Sequence, residues 1–541
     1  MIIGNLHAIA DQLWLYLTAP LLLIAGLWLT WKLRGAQFTR LLRSGAALRS
    51  DAEADGLLRP IVAVLYSSTT GLSALAVLGA ATAISLGGTG ILAWVWLFAI
   101  LFGAFRFAEA LLSRTNPAGM SDRKSPKSIL QRALRQGGAH RIIGGAAVGC
   151  LAIGAFGYAG AYQGLALREL AATTDPSTAR WIPLFLGLVG AFAFALGLRR
   201  LGRWIGPIAL VALVALATLG LWAGMSDAGR FFRALGRAIP EATGGAPAAT
   251  PFSGASPSEI MIAALVWVLP AFAVGLGITG RAHGEAQAQS TRQQARAALL
   301  EPLIFATVVT ILGCTFVATG SYFRRVETHR GLHELTMMRT DFESLSQRQE
   351  EDRRYSGYIR IEEGEMRDIG PRFATERGTI RQPTFRYEGE PADISLRYRD
   401  GIPTRLMVNQ NGVLADTSLG ELRQVTVAGN MLPRGGALAG EALHRGTGQD
   451  STRFALLFGL LLLGALGLSL FGHALVRASG ARGPLRWLVG LLPAAGAALA
   501  ATDVASFVEP AGRLGLGVGA ALLAVLFLLE AGAAGKLSSG G

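Results

Sequence analysis

The chain has 541 residues, of which 51% are hydrophobic and 16% charged, with a formal net charge of +14. Soluble domains carry about 25% charged residues, so this composition excludes an ordinary soluble protein. The positive charge could suit nucleic acid, but most basic residues sit in short segments between apolar runs. Membrane topology explains them there, and no nucleic-acid partner is expected.

Eleven apolar stretches follow one another, near 12–32, 61–86, 90–112, 142–165, 181–198, 204–224, 258–280, 298–323, 454–476, 487–503 and 513–531. As helices they match a hydrocarbon layer about 30 Å thick, so the expected fold is an all-α polytopic membrane protein with the lipid bilayer as its surroundings. Basic clusters follow alternate spans. They are Lys32 to Arg59, Arg114 to Arg141, Arg199 to Arg203, Arg281 to Arg296, and Arg477 to Arg486. The positive-inside bias makes that side cytoplasmic, with the N-terminus outside and the C-terminus, with Lys536, inside. The first span lacks a basic segment before it and reads as a retained helix rather than a signal peptide. Cys150 and Cys314 fall inside spans and imply neither a disulfide framework nor a metal site.

Polar groups inside spans are costly and mark pathways or interhelical contacts. The second span carries Tyr66, Ser67, Ser68, Thr69, Thr70, Gly71 and Ser73 in an otherwise Ala/Leu-rich run. Such a segment can unwind and present backbone groups to a zwitterion and a cation. Equally, small residues let helices pack closely, and Ser or Thr can bond their own backbone. Arg106 and Glu109 in the third span stand three residues apart and form a gate or a structural pair. Gln163, near the outer end of the fourth span, suits a zwitterionic ligand or a neighbouring helix. Glu301-Pro302 opens the eighth span and reads as a cap, with proline in the first turn and a carboxylate at the positive helix end.

Residues 324–452 are polar and follow a span that ends outside, so a small α+β soluble insert is expected there, extracytoplasmic and available to a protein partner. Leu332, Leu335, Met338, Phe342 and Leu345 recur at spacings of three and four, which predicts a helix over 326–352. Beyond it, alternation at Ile359/Ile361, Ile394/Leu396/Tyr398, Leu406/Val408 and Leu422/Val425/Val427 predicts strands. Asp400-Gly401 and Asn411-Gly412 supply hairpin turns. His329 and His333 would share a helix face beside Glu334, but no third ligand is evident, and a solvated face is the better reading. The domains expected are thus 1–60, 61–323, 324–452 and 453–541.

The run from Ala81 to Gly90, followed by Trp94-Val95-Trp96 and Phe107-Ala108-Glu109-Ala110, resembles the second and third helices of the sodium:alanine/glycine symporters. Gln163, the Arg-rich turn before Trp204 and Pro207, the run from Gly275 through Thr307, and Asp503 also resemble that family. The resemblance implies a leucine-transporter-like 5+5 inverted repeat after one N-terminal helix, in a bacterial inner membrane, with a small amino acid and Na+ bound at broken helices. On that map Ser67, Ser68, Thr69, Thr70, Gly71, Ser73 and Gln163 bind the solute, and Thr70, Ser73 and Thr307 bind the ion. No other cofactor and no enzymatic activity are implied. The chain departs from the pattern at Ser73 to Ala76, around Gly280 to His283, at Leu463 and Gly464, and at His473. Two functions are therefore expected: a secondary transporter, or a transport-inactive relative acting through its insert as a sensor or assembly subunit.

Overall fold

A computed structural model describes residues 2–41, 44–48, 57–114, 128–248, 255–323, 326–332, 335–338, 355–367, 372–375, 378–410, 413–417, 424–431, 435–502 and 504–539. The chain divides into a helical unit, Met1–Ala249, Ser256–Thr319 and Gly435–Gly541, and a second unit, Thr250–Ala255 and Gly320–Arg434.

The helical unit begins with α1 (Leu6–Lys32). An interrupted pair follows, α2 (Pro60–Gly71) and α3 (Ala74–Gly87), bent by 49°. Then come α4 (Gly90–Leu112), α5 (Gly138–Ala172), α6 (Ile182–Gly224), and α7 (Ala228–Thr243). The expected spans 181–198 and 204–224 both lie in α6, which is broken at Gly197, whose φ of 71° only glycine adopts freely. The second half has α8 (Pro257–Ala273), α9 (Gly280–Gly284) and α10 (Thr291–Ala318). It closes with α11 (Gly435–Thr447), α12 (Ser451–Ser479), α13 (Pro484–Leu499) and α14 (Ala505–Ser539). By length and composition seven helices among the described residues can cross a membrane, or eight if the bent pair is one span; α8 and α13 are shorter apolar helices. The expected span 258–280 is helical only to Ala273 and then turns.

Close packing of these helices rests on small residues, as expected where lipid offers no hydrophobic drive between apolar surfaces. A Cβ at Gly157 of α5 would fall 2.4 Å from the Cα of Gly512 on α14, and one at Gly160 would fall 2.4 Å from the Pro493 carbonyl of α13. The same device accounts for α11, which the sequence reading placed inside the soluble insert. Gly436 seats α11 on the Ala166–Leu170 backbone of α5 and Gly440, four residues on, on the Leu170 and Thr173 side chains, and Leu438, Ala439, Ala442 and Leu443 are buried. The insert therefore ends at Arg434 rather than at 452.

The second unit is an antiparallel sheet of eleven strands among the described residues: β1 (Val326–Gly331), β2 (Thr336–Met338), β3 (Gly357–Glu362), β4 (Glu365–Met366), β5 (Arg372–Thr375), β6 (Gly378–Tyr387), β7 (Glu390–Pro391), β8 (Ile394–Arg399), β9 (Ile402–Gln410), β10 (Val413–Thr417) and β11 (Val425–Met431). Their order is β1-β11-β6-β4-β3-β8-β9-β10, with β2, β5 and β7 off that path. Ile359, Ile361, Ile394, Leu396, Tyr398, Leu406, Val408, Val425 and Val427 all enter one buried core with Phe385 and Ile380, as their alternation requires. Asp400 and Gly401 join β8 (Ile394–Arg399) to β9 (Ile402–Gln410) with φ of 52° and 77°. Glu363-Gly364 and Glu388-Gly389 make two more such turns, with positive φ at both central residues as in type I′ hairpins. Only the Asp-Gly turn was legible beforehand, because Glu is not a usual turn residue.

The helix expected over 326–352 is not formed in its described part. Val326–Gly331 is β1, antiparallel to β11 (Val425–Met431), and Thr336–Met338 is β2, paired with β5 (Arg372–Thr375). Leu335 N–H instead donates to Leu332 O, and both side chains enter the sheet core. A spacing of three suits a turn between strands as well as a helix face, and pairing with β11 decides between them. His329 lies on β1 rather than on a helix; His333, Glu334, Phe342, Leu345, Asn411, Gly412, Leu422 and Asp503 lie outside the described residues.

Candidate functional site at two interrupted helices

The first interruption falls where the hydroxyl-rich segment ends. After Gly71, Leu72 takes φ −80° and ψ 59°, and Ser73 is extended and caps α3 by accepting from Leu75 N. Ser73 N–H donates to Gly71 O, so the Thr69 carbonyl loses the donor that a continuous helix would give it. The hydroxyls upstream turn back on their own helix. Ser67 donates to Ala63 O, Ser68 to Val64 O, Thr69 to Tyr66 O and Thr70 to Ser67 O, at 2.7–2.8 Å. The segment breaks, and its hydroxyls bond the backbone of their own helix.

The second interruption spans 274–279, between α8 and α9. Gly277 has φ +72°, and Thr279 N–H donates to Gly275 O. The two interruptions touch. A Cβ on Gly275 would fall 2.6 Å from Thr70 Oγ1 and 2.7 Å from Arg106 Nη2, an approach that only glycine permits.

Arg106 and Glu109 of α4 hold the second interruption together. They pair at 3.2 Å, and both are buried. Arg106 also donates to Thr279 Oγ1 at 2.7 Å and to Phe272 O at 3.2 Å, while Glu109 accepts from Gly280 N at 2.7 Å and from Thr279 Oγ1 at 2.9 Å. The pair is therefore part of a wider cluster, which the sequence reading did not find. Glu301 belongs to it: its Oε2 lies 3.4 Å from Arg106 Nε, and its Oε1 faces Ser67 Oγ and His283 Nε2. Glu301 stands in the first turn of the Leu300–Ala318 part of α10, as its place before Pro302 suggests, and its carboxylate also reaches this cluster. A single carboxylate within an apolar run was the available signal.

Gln163 follows a wide π-helical segment, Ala155–Tyr162, that re-aims the chain at this point. Its amide is buried at 3% exposure, and Nε2 has no hydrogen-bond partner. It presses on Gly464 of α12, where a Cβ would fall 1.8 Å from Nε2. One turn on, Gly467 packs against the Thr69 carbonyl, where a Cβ would fall 2.9 Å from the oxygen. Gln163 and the first interruption thus pack on neighbouring positions of α12. Gly464 was noted in sequence as a departure; in the structure it is the opening that admits Gln163. Thr307 is exposed on α10 and is not brought to Thr70 and Ser73. His473 is buried with its ring 4.8 Å from that of Phe194.

A family model described as the sodium:alanine symporter family matches residues 2–346. The chain belongs to that family. Members of the family are symporters, not enzymes. The probable sodium/glutamine symporter GlnT of Bacillus subtilis (strain 168) is 34% identical over 110 residues, covering 19% of this chain and 22% of that protein. The chain thus matches about a fifth of that relative's length. The two interrupted helices, the Arg106–Glu109 pair and Gln163 all lie within the residues that the family model matches.

Proposed function

We propose that the chain is a secondary transporter that moves a small amino acid across a bacterial plasma membrane together with a cation. The observation that carries this reading is the meeting of two interrupted apolar helices at Thr70 and Gly275. Interrupted helices inside a membrane free backbone donors and acceptors where a zwitterion and a cation can use them. Ser67, Ser68, Thr69, Thr70, Gly71 and Ser73 line the first interruption, and Gln163 contributes an unpartnered amide beside it. The solute carboxylate takes that amide and the backbone N–H groups of the interruption. The Thr69 carbonyl with the Thr70 and Ser73 hydroxyls supplies the hard oxygens that sodium prefers.

On this reading α2 to α6 and α8 to α14 hold the two inverted repeats, and α1 is the additional helix. The N-terminus and the sheet unit lie outside the cell, as the distribution of basic residues requires. The family description and the relative's name point to sodium as the travelling ion and to alanine, glycine or glutamine as solutes to try first. The test is uptake of these three, radiolabelled, into proteoliposomes with and without an inward sodium gradient. Expected is uptake of at least one, weakened in Gln163→Leu while the variant stays folded. No uptake of any, beside an active control transporter, would remove the reading.

A further inference from the structure

The two faces of α1 have different surroundings. Leu22, Ala25 and Leu29 are buried, whereas Ile24, Leu27, Trp28 and Trp31, at spacings of three and four, form one exposed stripe along the helix. Leu528 and Leu529 of α14 lie beside that stripe, and together these six residues line a shallow groove of about 620 Å³. The two helices are drawn together near its basic end, where a Cβ on Gly535 of α14 would fall 3.0 Å from the Lys32 carbonyl.

The charge at that end is held in an unusual way. Lys32 is the last residue of α1, and a lysine there ordinarily extends its stem to bring the ammonium into water. Here the side chain folds back. Its Nζ lies 4.8 Å from the ring centre of Trp28 and 4.6 Å from that of Trp31, and the two rings are themselves 4.8 Å apart. The ring faces attract the cation and keep it at the mouth of the groove, but they offer its three N–H donors no acceptor oxygen. The Lys32 side chain makes no hydrogen bond or ion pair with a described residue, and neither does the exposed side chain of Arg34. An apolar groove therefore ends under a positioned positive charge that has no counter-ion among the described residues.

One kind of molecule in a bilayer satisfies both parts at once. The phosphate oxygens of an anionic phospholipid accept charge-assisted hydrogen bonds from the ammonium, while an acyl chain covers Ile24, Leu27, Leu528 and Leu529. A zwitterionic phospholipid brings its own cation beside the phosphate and gains less from the lysine. A second copy of this chain also fits less well. Two copies in one membrane stand at the same depth, so a symmetric contact through the groove would set Lys32 and Arg34 against their own like charges.

We propose that the groove between α1 and α14 binds one anionic phospholipid, with its phosphate on Lys32 and an acyl chain along the Trp28 and Trp31 face. The site does not depend on transport, and neither α2 nor the break between α8 and α9 takes part in it.

The test uses the full-length protein in bilayers that mix phosphatidylglycerol and phosphatidylcholine, with brominated acyl chains on one lipid or the other to quench nearby tryptophans. The chain has ten tryptophans, so the share of this pair is the quenching lost in Trp28→Phe combined with Trp31→Phe, which keeps an aromatic ring at both positions. One lysine near an anionic headgroup favours it about fivefold. Expected at the pair is therefore a relative association constant of about 5 for phosphatidylglycerol over phosphatidylcholine, falling to about 1 in Lys32→Gln and kept in Lys32→Arg. Equal quenching by the two lipids would overturn the site. So would an unchanged preference in Lys32→Gln, since general attraction to a chain of net charge +14 survives the loss of one lysine. A pair shielded from both lipids, as a second copy seated on the groove would leave it, would overturn the site as well.

Discussion

The two interrupted helices solve one problem in different ways. At the first interruption the break is two residues long, and the hydroxyls of Ser68, Thr69 and Thr70 bond carbonyls of their own helix, while that of Ser67 also faces Glu301 of α10. At the second the break is six residues long, and its stabilising partner comes from elsewhere: Glu109 of α4 accepts from Thr279 and Gly280. A locally satisfied break can open and close with little change to its surroundings. A break held by a buried ion pair is fixed for as long as that pair stays intact.

The difference can be tested by substitution. Glu109→Ala would strip the second interruption of its acceptor and leave Arg106 buried with one partner fewer; breaking a buried pair costs about 3–5 kcal/mol. We expect a loss of that size in thermal unfolding of the purified protein, and a loss no greater than that of a surface substitution would show that α4 does not hold the break. Gly275→Ala attacks the point where the two interruptions touch. With the new Cβ inside 2.7 Å of both Thr70 and Arg106, overpacking should cost about 1–3 kcal/mol, and an unchanged melting curve would mean that the helices do not meet so closely. Ser68→Ala should have the smallest effect on stability, within about 0.5 kcal/mol, because the hydroxyl bonds only Val64 O. Uptake should nevertheless fall in that variant. Equal melting with equal uptake would take Ser68 out of the solute site.

The contrast also explains what could be read in advance. The first interruption was visible because its chemistry is local: hydroxyls and Gly71 stand together in a run otherwise of Ala, Val and Leu. The second lacks that signature. Gly275 and Gly277 lie in an apolar run that reads as an uninterrupted span, and nothing in residues 258–280 shows that Arg106 and Glu109 lie beside them. Glu301 was read only in part: its place before a proline in a first helical turn is local, but only the packing of α10 against α2, α4 and α9 turns it toward Ser67, Arg106 and His283. Thr307 shows the reverse error, since a residue that fits a family pattern faces outward here.

In the sheet unit the division is equally physical. Alternation placed Ile359, Ile361, Ile394, Leu396, Leu406 and Val408 in the core, because period-two patterning reports burial on one face directly. The segment 326–338 went wrong because a short apolar spacing fits a turn as well as a helix. Only pairing of β1 with β11, about a hundred residues away in sequence, decides.

By itself the sequence determined that the chain is a membrane protein, where its apolar runs fall, and that the second span is where a break could form, since hydropathy and local hydroxyl chemistry are properties of contiguous residues. The tertiary structure alone decided that α8 breaks as well, that Gln163 is accommodated by Gly464, that α11 belongs with the helices, and that Glu109 and Glu301 share one arginine. Each of these depends on residues tens to hundreds of positions apart brought within a few ångströms. Contact at that range is set by how glycine-lined helix faces fit together, and no periodicity in the chain records it.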